Sequence, residues 1–456
     1  MKIALGTRSF QPPLIGGVDV YTDRLGRALE RKGFGVVYLA FNSSPEYRSG
    51  IQWREDFYEG RRIRRCLFDY AQRPSEFFQL GYDPEMRAQI RSILETEKPD
   101  LFIILNFYMS TLAGVAAAGD LNLPVVHIAT DYLPVCRRAT MIRWNGESCQ
   151  VGESIHSCSE CFVAHKARGR LAASLLNFIP QETLISLAQK KDSNNSFSPL
   201  KALDPYLKQV DLMMRRLERL DPLRQKIDLV LAPTRYTAQI FKENGFSEGQ
   251  VHFLPFGVDA EDPLGRMIHE PADHIRFLFV GRLQPYKGAH ILLRAFNQLA
   301  SPNNSTLTIY GVRDGYDAYY EALNAMISAN PLIQFKGKIP PTELGRAFAE
   351  ADYFVLPSTW HENSPLILLD ALQSQTPVIS SEIGGVIDLV KDNFNGLLFP
   401  MGDVTALQAV MQRAIDHPEM VEHFRNRSEL LTIDAYAEAL LSECQERGLI
   451  KERLII

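Results

Sequence analysis

The sequence lacks the charge excess and the biased composition that mark nucleic-acid-binding and fibrous proteins. Its 456 residues carry 49 Lys and Arg against 54 Asp and Glu, so a net charge of −5 leaves no excess of cations to coat phosphates. We therefore expect no nucleic-acid partner. Gly and Pro number 29 and 26, an ordinary share that excludes a collagen-like or long disordered tract. A globular chain of this length predicts two or three domains.

Long apolar runs are also scarce. The apolar start of the chain is too short for a secretion signal. Residues 101–119 carry no charge, but polar residues and a glycine interrupt them, which predicts a buried strand at 101–105 followed by a helix rather than a membrane span. We therefore expect a cytoplasmic protein whose six cysteines form no structural disulfides.

Strands alternate with helices in two series, which predicts parallel sheets with right-handed crossovers. The strands predicted for the first series are 2–7, 36–41, 101–105, 125–129 and 229–232, with a helix at 18–32. The strands predicted for the second series are 275–281, 307–310, 333–336, 353–356 and 378–381, with helices at 289–300, 316–329, 342–351, 365–373 and 405–416. The fold class is therefore α/β, with two Rossmann-like doubly wound domains at 1–258 and 259–430 joined through a Pro- and Gly-rich linker at 255–273. Ligands of such sheets bind in a cleft at the carboxyl ends of the strands.

Familiar phosphate-binding signatures are missing. The chain has neither a GxGxxG motif after a strand nor a GxxxxGK[ST] motif, which disfavours dinucleotide oxidoreductases and P-loop enzymes. No two aspartates stand one residue apart, so a metal-holding Asp-x-Asp is absent as well. A diphosphate bound here would have to be neutralised by side chains and helix ends.

Two cations follow the first strand of the second series. Arg282 and Lys287 stand between Gly281 and Gly288. Glycine lets a backbone approach a ligand closely, and the two cations match the charge of a diphosphate. The same residues also suit an ordinary surface loop with solvated cations, and the spacing alone does not decide between the two.

A second candidate site follows strand 353–356. Ser364 is a helix-capping residue type and Pro365 suits a first turn, so a helix is predicted to start here with amides available to an anion. Glu362 precedes this helix start and Asp370 lies more than a turn inside it. The two carboxylates are spaced to grip hydroxyls on two parts of one ligand, while Glu362 alone equally suits the helix dipole.

A pair of glycines, Gly16 and Gly17, precedes the first helix and is a third candidate. Two small residues at a strand-to-helix turn either admit a phosphate close to the backbone or simply make a turn.

In combination, these stretches resemble the retaining, nucleotide-sugar-dependent glycosyltransferases of family 4, which have the GT-B architecture of two domains facing a central cleft. The resemblance spans nearly the whole chain and is densest in the second half. The matching stretches are GGVD at 16–19, LPFGVD at 254–259, GRL at 281–283 with KG at 287–288, residues 362–370, and GG at 384–385 with NGLLFP at 395–400. The resemblance implies that residues 1–258 face the acceptor, that residues 259–430 bind the donor, and that a C-terminal helix at 431–456 returns to the first domain.

The resemblance also implies roles for residues near the donor. Arg282 and Lys287 would hold its diphosphate, and Glu362 would contact its sugar. Asp370 would bind the ribose, where the family usually has a glutamate that is one methylene longer. The donor-binding residues implied are Gly16, Gly17, Arg282, Lys287, Lys338, Asn363, Ser364, Pro365, Leu366 and Asp370.

On the acceptor side the resemblance is looser. Thr130 stands where the family often has a histidine close to the reacting sugar, and Asn106 matches a family asparagine that lines the acceptor side. Asp131 either orients and deprotonates the acceptor or serves as a capping carboxylate. The catalytic candidates are therefore Glu362, Asp131 and Thr130, whereas His127 is interpreted as a core histidine.

The activity implied is the transfer of a sugar from a UDP- or GDP-sugar to a hydroxyl of a glycan, lipid-linked or small-molecule acceptor. The transfer would retain the anomeric configuration and would need neither a metal nor another catalytic cofactor. No residue stands out as an enzymic nucleophile, which favours same-face substitution assisted by the departing phosphate. Two alternatives stay open. One is a nucleotide-sugar-binding subunit with impaired catalysis, which Thr130 and Asp370 favour, and the other is a different GT-B enzyme such as a sugar-nucleotide epimerase.

Four of the cysteines cluster in an insertion at about 133–226. Cys136, Cys149, Cys158 and Cys161 are separated by 12, 8 and 2 residues, and the closing C-x2-C is typical of structural zinc. The first spacing is not a common zinc-ribbon pattern. A structural zinc site, free structural thiols, and thiols in disulfide or redox use therefore remain alternative interpretations.

The same insertion carries 15 Lys and Arg against 9 Asp and Glu, and an apolar stripe recurs at helical spacing over residues 207–220. A basic amphipathic helix either lies on an anionic membrane, which would place the protein peripherally at the inner face, or packs on its own domain. We favour packing on the domain.

Overall fold

The protein is described by a computed structural model that covers residues 1–11, 16–47, 50–73, 81–108, 110–149, 154–163, 179–193, 204–260, 269, 273–300, 304–313, 315–425 and 427–451. The chain divides into two compact units. The first comprises Met1–Pro233, Thr237–Leu254 and Ala437–Ile456, and the second comprises Thr234–Tyr236 and Pro255–Tyr436. Residues 261–268 and 270–272 of the predicted linker lie outside the described residues.

The described part of the first unit is built on an eight-stranded sheet. Its strands are β1 (Lys2–Thr7), β2 (Gly35–Ser43), β3 (Gln52–Tyr58), β4 (Arg61–Phe68), β5 (Leu101–Ile104), β6 (Val125–Ile128), β7 (Leu229–Ala232) and β8 (Val251–Phe253). The order is β3-β4-β2-β1-β5-β6-β7-β8, and the pairs are parallel except for the β3–β4 hairpin. Strands β5, β6 and β7 are buried along their whole length, as expected of a parallel sheet covered on both faces. The chain order reverses between β1 and β5, which creates a switch point there.

The helices of the first unit connect these strands and build the insertion. They are α1 (Gly17–Arg31), α2 (Pro84–Glu97), α3 (Ala113–Asp120), α4 (Ile155–Val163), α5 (Gln181–Ser193), α6 (Asp204–Arg224) and α7 (Arg235–Glu243), the last of which begins in the second unit. Local chemistry explains the start of α2, because the Asp83 carboxylate accepts hydrogen bonds from two of its first amides and Pro84 occupies its first position.

The three helices of the insertion pack on one another. Helices α4, α5 and α6 share one apolar cluster, whose buried members are Val163, Leu184, Ala188, Tyr206, Leu207 and Val210. The predicted apolar stripe of α6 is therefore covered within the first unit, in agreement with the packing interpretation.

The second unit has a six-stranded sheet of parallel strands in its described residues. The strands are β9 (Ile275–Leu283), β10 (Ser305–Arg313), β11 (Ile333–Gly337), β12 (Tyr353–Leu356), β13 (Val378–Ser381) and β14 (Gly396–Phe399), in the order β11-β10-β9-β12-β13-β14. The helices are α8 (Ala289–Phe296), α9 (Asp317–Ser328), α10 (Leu344–Ala349), α11 (Leu366–Gln373), α12 (Val404–Asp416), α13 (Met420–Phe424) and α14 (Ile433–Glu446), the last of which continues into the first unit.

Alternation along the strands of this sheet supplies two cores. Phe277 and Phe279 belong to one apolar cluster together with residues of α8 and α12. Leu278, between them, belongs to a second cluster that includes Phe348 of α10 and Leu368 of α11. Successive side chains of a strand point to opposite faces, so helices cover both sides of the sheet and leave its carboxyl edge for loops.

None of the helices in the described ranges is long and apolar enough to cross a membrane. The uncharged stretch 101–119 instead supplies β5 and most of α3, which agrees with the prediction of a strand followed by a helix.

Candidate active site

The loops after β9 and β12 meet at the switch point of the second sheet. These two strands are neighbours, and the chain order reverses between them. Open parallel sheets bind ligands outside the carboxyl ends of their strands at such a point. Lys287 follows β9 and Glu362 follows β12, and Lys287 Nζ lies 2.6 Å from Glu362 Oε1. The structure therefore brings together two of the residues that the sequence singled out.

The Glu362 carboxylate is held in place from two sides. The residue is only 4% exposed, and the oxygen that pairs with Lys287 also accepts a hydrogen bond from Ser358 Oγ at 2.7 Å. Ser358 is fully buried and lies two residues after the end of β12. Sequence reasoning missed Ser358, for which the only available signal was its position directly after a strand.

A neighbouring glycine pair brings another loop against the backbone of Glu362. A Cβ atom at Gly385 would lie 1.7 Å from the carbonyl oxygen of Glu362, far closer than any real contact. Next to it, Gly384 N donates a hydrogen bond to His361 Nδ1 at 3.0 Å. Close backbone approach is a recognised reason for glycine, and here it fixes the segment that carries Glu362.

A single turn aims Lys287 at the carboxylate. Residues Pro285–Lys287 form a 3-10 turn that ends at Gly288, whose φ of 74° lies in the left-handed region that favours glycine. A Cβ atom there would also lie 1.8 Å from the carbonyl oxygen of Pro357. Lys287 Nζ lies 5.3 Å from the centre of the Trp360 ring, within the range of a cation–π contact.

Two further donor candidates lie on the surface of this unit. Arg282 and Lys338 are both exposed. The prediction that strand 275–281 ends before Arg282 was wrong, because the ladder of β9 with β10 continues through Leu283. Arg282 therefore projects from the last part of a strand, not from a loop.

Helix α11 presents its first amides at the same edge of the sheet. It begins at Leu366, and Pro365 is its N-cap residue, with an extended ψ of 116° and no side-chain cap hydrogen bond. The prediction that Ser364 caps the helix and that Pro365 occupies its first turn was therefore wrong. The first amides of a helix have no partner within it, so they are available to an anion. Asp370 is buried inside this helix, and Asn363 is half-buried before it.

In the first unit, Asp131 joins the loops that follow two neighbouring strands. Asp131 follows β6, and its Oδ2 accepts a hydrogen bond at 2.7 Å from Phe107 N, which follows β5. Its Oδ1 accepts a hydrogen bond from Leu133 N at 2.8 Å. Burial raises the pKa of Asp131 to about 6, although these amides and the positive charge of Arg8 act in the opposite direction. Asp131 is thus a loop-fixing carboxylate that also titrates near neutral pH.

The other acceptor-side candidates are engaged with backbone. Thr130 Oγ1 donates a hydrogen bond to the carbonyl oxygen of Leu105, and the buried Asn106 accepts one from a nearby amide through its side-chain oxygen. His127 is fully buried, with Nδ1 2.9 Å from the carbonyl oxygen of Ile104, and burial lowers its pKa to about 4. His127 is therefore a neutral core histidine, as interpreted from the sequence.

The glycine pair of the first unit stands at the start of α1. Gly16 is the N-cap residue with extended backbone, and Gly17 opens the helix. Asp19, in the first turn, is buried and accepts hydrogen bonds from Ser9 Oγ at 2.9 Å and from a backbone amide at 3.1 Å. The helix start is thereby tied to the loop after β1. Residues 12–15 of this loop lie outside the described residues.

The four clustered cysteines line one pocket of the first unit, which is partly open to solvent. Cys149 ends a short hairpin-like turn whose residues 142 and 148 form a bridge, whereas Cys158 and Cys161 lie on α4. All four are half-buried, and none of them is joined in a disulfide to another described cysteine. Within the described ranges, however, no three Cys, His, Asp or Glu side chains are arranged to hold a metal ion. The geometry therefore gives the predicted zinc site no support.

We predict that a small neutral maleimide labels the four pocket cysteines in the native protein and spares Cys66 and Cys444. The last two are fully buried, and burial raises their pKa, for Cys444 to about 12, so their thiolates are scarce. Mass spectrometry of labelled peptides before and after unfolding checks this. Joint protection of the four pocket thiols that disappears on adding a chelator would instead demonstrate a bound metal.

Comparison with known protein families gives one glycosyltransferase match in each part of the chain. Residues 16–180 match the model of the glycosyl transferase 4-like domain, and residues 266–430 match that of the glycosyl transferases group 1. Among curated relatives, the D-inositol 3-phosphate glycosyltransferase of Corynebacterium efficiens is 30% identical over 184 residues. That match covers 36% of this chain and 43% of the relative, so the chain matches less than half of the relative's length.

Solved structures similar to this chain share its fold. Sucrose-phosphate synthase from Thermosynechococcus elongatus superposes with a TM-score of 0.61 at 17% identity, covering 98% of this chain and 97% of that one. HepE of Anabaena, solved in complex with UDP and glucose, superposes with a TM-score of 0.61 at 15% identity, covering 97% and 98%. The two α/β units thus match the GT-B fold.

Proposed function

We propose that this chain, which belongs to the GT-B glycosyltransferases of the family 4 type, transfers a sugar from a nucleoside diphosphate sugar to an acceptor hydroxyl with retention of configuration. The donor would bind in the second unit at the switch point between β9 and β12. The acceptor would bind at the corresponding carboxyl edge of the first unit, near Asp131.

The contact between Lys287 and Glu362 carries this proposal. A diphosphate needs positive charge and amide donors, and Lys287 and the first amides of α11 supply both at one edge of the sheet. An ammonium has three hydrogens to donate, so Lys287 can keep Glu362 and bind a phosphate oxygen as well. A buried carboxylate beside them is the acceptor that sugar hydroxyls require.

The proposed reaction needs no nucleophile from the enzyme. The acceptor oxygen forms a bond to the anomeric carbon on the face from which the diphosphate leaves, and the bond between that carbon and the phosphate oxygen breaks. The acceptor proton passes to the departing phosphate oxygen. Lys287 and the α11 amides stabilise the negative charge that develops on the leaving group, which is the electrostatic contribution that a protein makes best.

Comparison supports testing UDP first, because HepE was solved with UDP and glucose. We expect UDP-glucose, at a concentration about 100 times its dissociation constant, to raise the unfolding temperature by roughly 5–10 °C with a chelator present, since saturation to this degree stabilises a protein by about 2.7 kcal/mol. Differential scanning fluorimetry against a panel of UDP- and GDP-sugars measures this. Lys287→Ala serves as the control that removes the shift, and the absence of any shift with the whole panel would contradict the donor site.

A second candidate function is a nucleotide-sugar-binding subunit that does not catalyse transfer. The observation that favours it is the engagement of Thr130 and Asp131 with backbone groups. Donor hydrolysis and transfer to sugar-phosphate, inositol-phosphate and oligosaccharide acceptors distinguish the two functions. Donor binding without either reaction would establish the subunit, whereas release of nucleoside diphosphate with formation of an α-configured product from an α-configured donor would establish the transferase.

A further inference from the structure

Two arginines of helix α6 point into the protein instead of toward solvent. Arg216 is fully buried and donates a hydrogen bond from Nη2 to the carbonyl oxygen of Leu133. Arg224, which is 3% exposed, donates to the carbonyl oxygen of Pro134 from Nε at 3.0 Å and from Nη2 at 2.6 Å. Burial of a guanidinium is costly unless its hydrogens are used, so these contacts are specific features of the fold.

Both carbonyl groups belong to the loop that follows Asp131. Leu133 is held twice, because its amide donates to the Asp131 carboxylate at 2.8 Å and its carbonyl oxygen accepts from Arg216. The carboxylate in turn holds the loop after β5 through Phe107 N. Arg216, Arg224 and Asp131 thus all bond to one short segment, residues 131–134.

A glycine leaves the space that the Arg216 guanidinium occupies. A Cβ atom at Gly81 would lie 2.6 Å from Arg216 Nη1, so only a glycine lets the guanidinium occupy its place without a shift. On the same helix, Arg215 is 38% exposed and pairs with Asp211 one turn earlier. The two adjacent arginines therefore differ in environment, because Arg215 is partly exposed and pairs with a carboxylate of its own helix, whereas Arg216 is buried against the loop.

We propose that Arg216 and Arg224 are positioning residues that hold the Asp131 loop in its reactive geometry, so that the helical insertion serves as a brace for the acceptor side of the site. This inference rests on the proposed function. A misplacement of about 1 Å in a catalytic group lowers the rate about 100-fold. Accurate placement of the loop therefore offsets the free energy lost when the guanidinium groups are desolvated.

The experiment compares Arg216→Met and Arg216→Lys with the matched control Arg215→Met. We expect Arg216→Met to lower kcat at least tenfold and to leave the donor KM within twofold, because Lys287 and Glu362 lie in the other unit. Arg216→Lys, which keeps a cation able to donate hydrogen bonds, should recover at least a third of the wild-type kcat. Arg215→Met should behave like the wild type.

The pH dependence of kcat distinguishes a positioning role from a purely structural one, which would leave that dependence unchanged. The charged group that faces Asp131 is Arg8, and the remaining partners are backbone amides. Burial raises the pKa of Asp131 to about 6, and protonation below that pH weakens its hydrogen bonds to the two loops, so wild-type kcat should fall as the pH drops through about 6. A loosened loop admits water to the carboxylate, and the acid limb of Arg216→Met should therefore move to lower pH.

Hydrogen exchange tests the brace without any substrate. The peptide that covers residues 131–135 should exchange at least tenfold faster in Arg216→Met than in the wild type, whereas Arg215→Met should leave it unchanged. This measurement separates a failed brace from a failed proposed function, because it needs no transfer activity. Equal exchange and equal kcat in the two methionine variants would overturn the inference. If Arg216→Met does not fold, Arg224→Gln provides the same comparison at Pro134.

Discussion

Replacement of Glu362 with glutamine should lower kcat/KM for sugar transfer by about 100- to 1000-fold, the range measured for the loss of one preorganised electrostatic contact at a reacting group. Glutamine keeps the size of the side chain and can accept the hydrogen bond from Ser358, but it carries no charge. In the proposed reaction, positive charge develops on the sugar as the bond to the diphosphate breaks, and we expect the fixed carboxylate of Glu362 to stabilise that charge. Because Lys287 stays partly solvated, we expect a stability loss of only about 1–3 kcal/mol.

The matched control is Glu350→Gln. Glu350 also pairs with a cation, Arg346, at 2.6 Å, but both side chains are at least half exposed, and exposed pairs of this kind contribute little. Initial rates over a range of donor concentrations, with circular dichroism to establish folding, compare the two variants. A folded Glu362→Gln protein that turns over within threefold of the wild type would remove Glu362 from the reacting centre.

The sequence predicts elements of this fold well where the signal is local and apolar. Strands β1, β7, β12 and β13 were predicted with the bounds that the structure gives them, because each is a short, buried apolar run beside a turn. The β3–β4 hairpin was missed. Strand β3 has no buried residue and faces β4 with cross-strand ion pairs such as Glu55 with Arg64, and a hydrophobic pattern does not register these.

The same distinction holds for the candidate site. Lys287 and Glu362 stand in short, contiguous sequence motifs, so both could be identified as candidates from the sequence alone. Ser358 acts only through a hydrogen bond across a folded loop, and Arg216 looks like any surface cation on an amphipathic helix until the helix is placed against the Asp131 loop. Long-range contacts of this kind depend on which elements pack together, and periodicity cannot supply that information.

Substitution of Gly385 by alanine should destabilise the second unit by about 3 kcal/mol and abolish transfer with it. Gly385 does not adopt a left-handed conformation, so the cost arises from space and not from backbone strain. An added Cβ would lie 1.7 Å from the carbonyl oxygen of Glu362 and 3.1 Å from its Cβ, and a backbone oxygen cannot move aside as a flexible side chain does. Relief of the clash requires the segment that carries Glu362 to shift by more than an ångström.

Such a shift affects both stability and chemistry, and the two can be measured separately. A loss of about 3 kcal/mol corresponds to a drop of roughly 6–12 °C in unfolding temperature for a domain of this size. Gly249→Ala is the control, because a Cβ there meets nothing within 4 Å and Gly249 also lies outside the left-handed region. Assays well below the unfolding temperature then isolate the effect on Glu362. A Gly385→Ala protein that keeps wild-type kcat would mean that catalysis tolerates a displaced Glu362, and the carboxylate would then have to act at a distance from the reacting sugar.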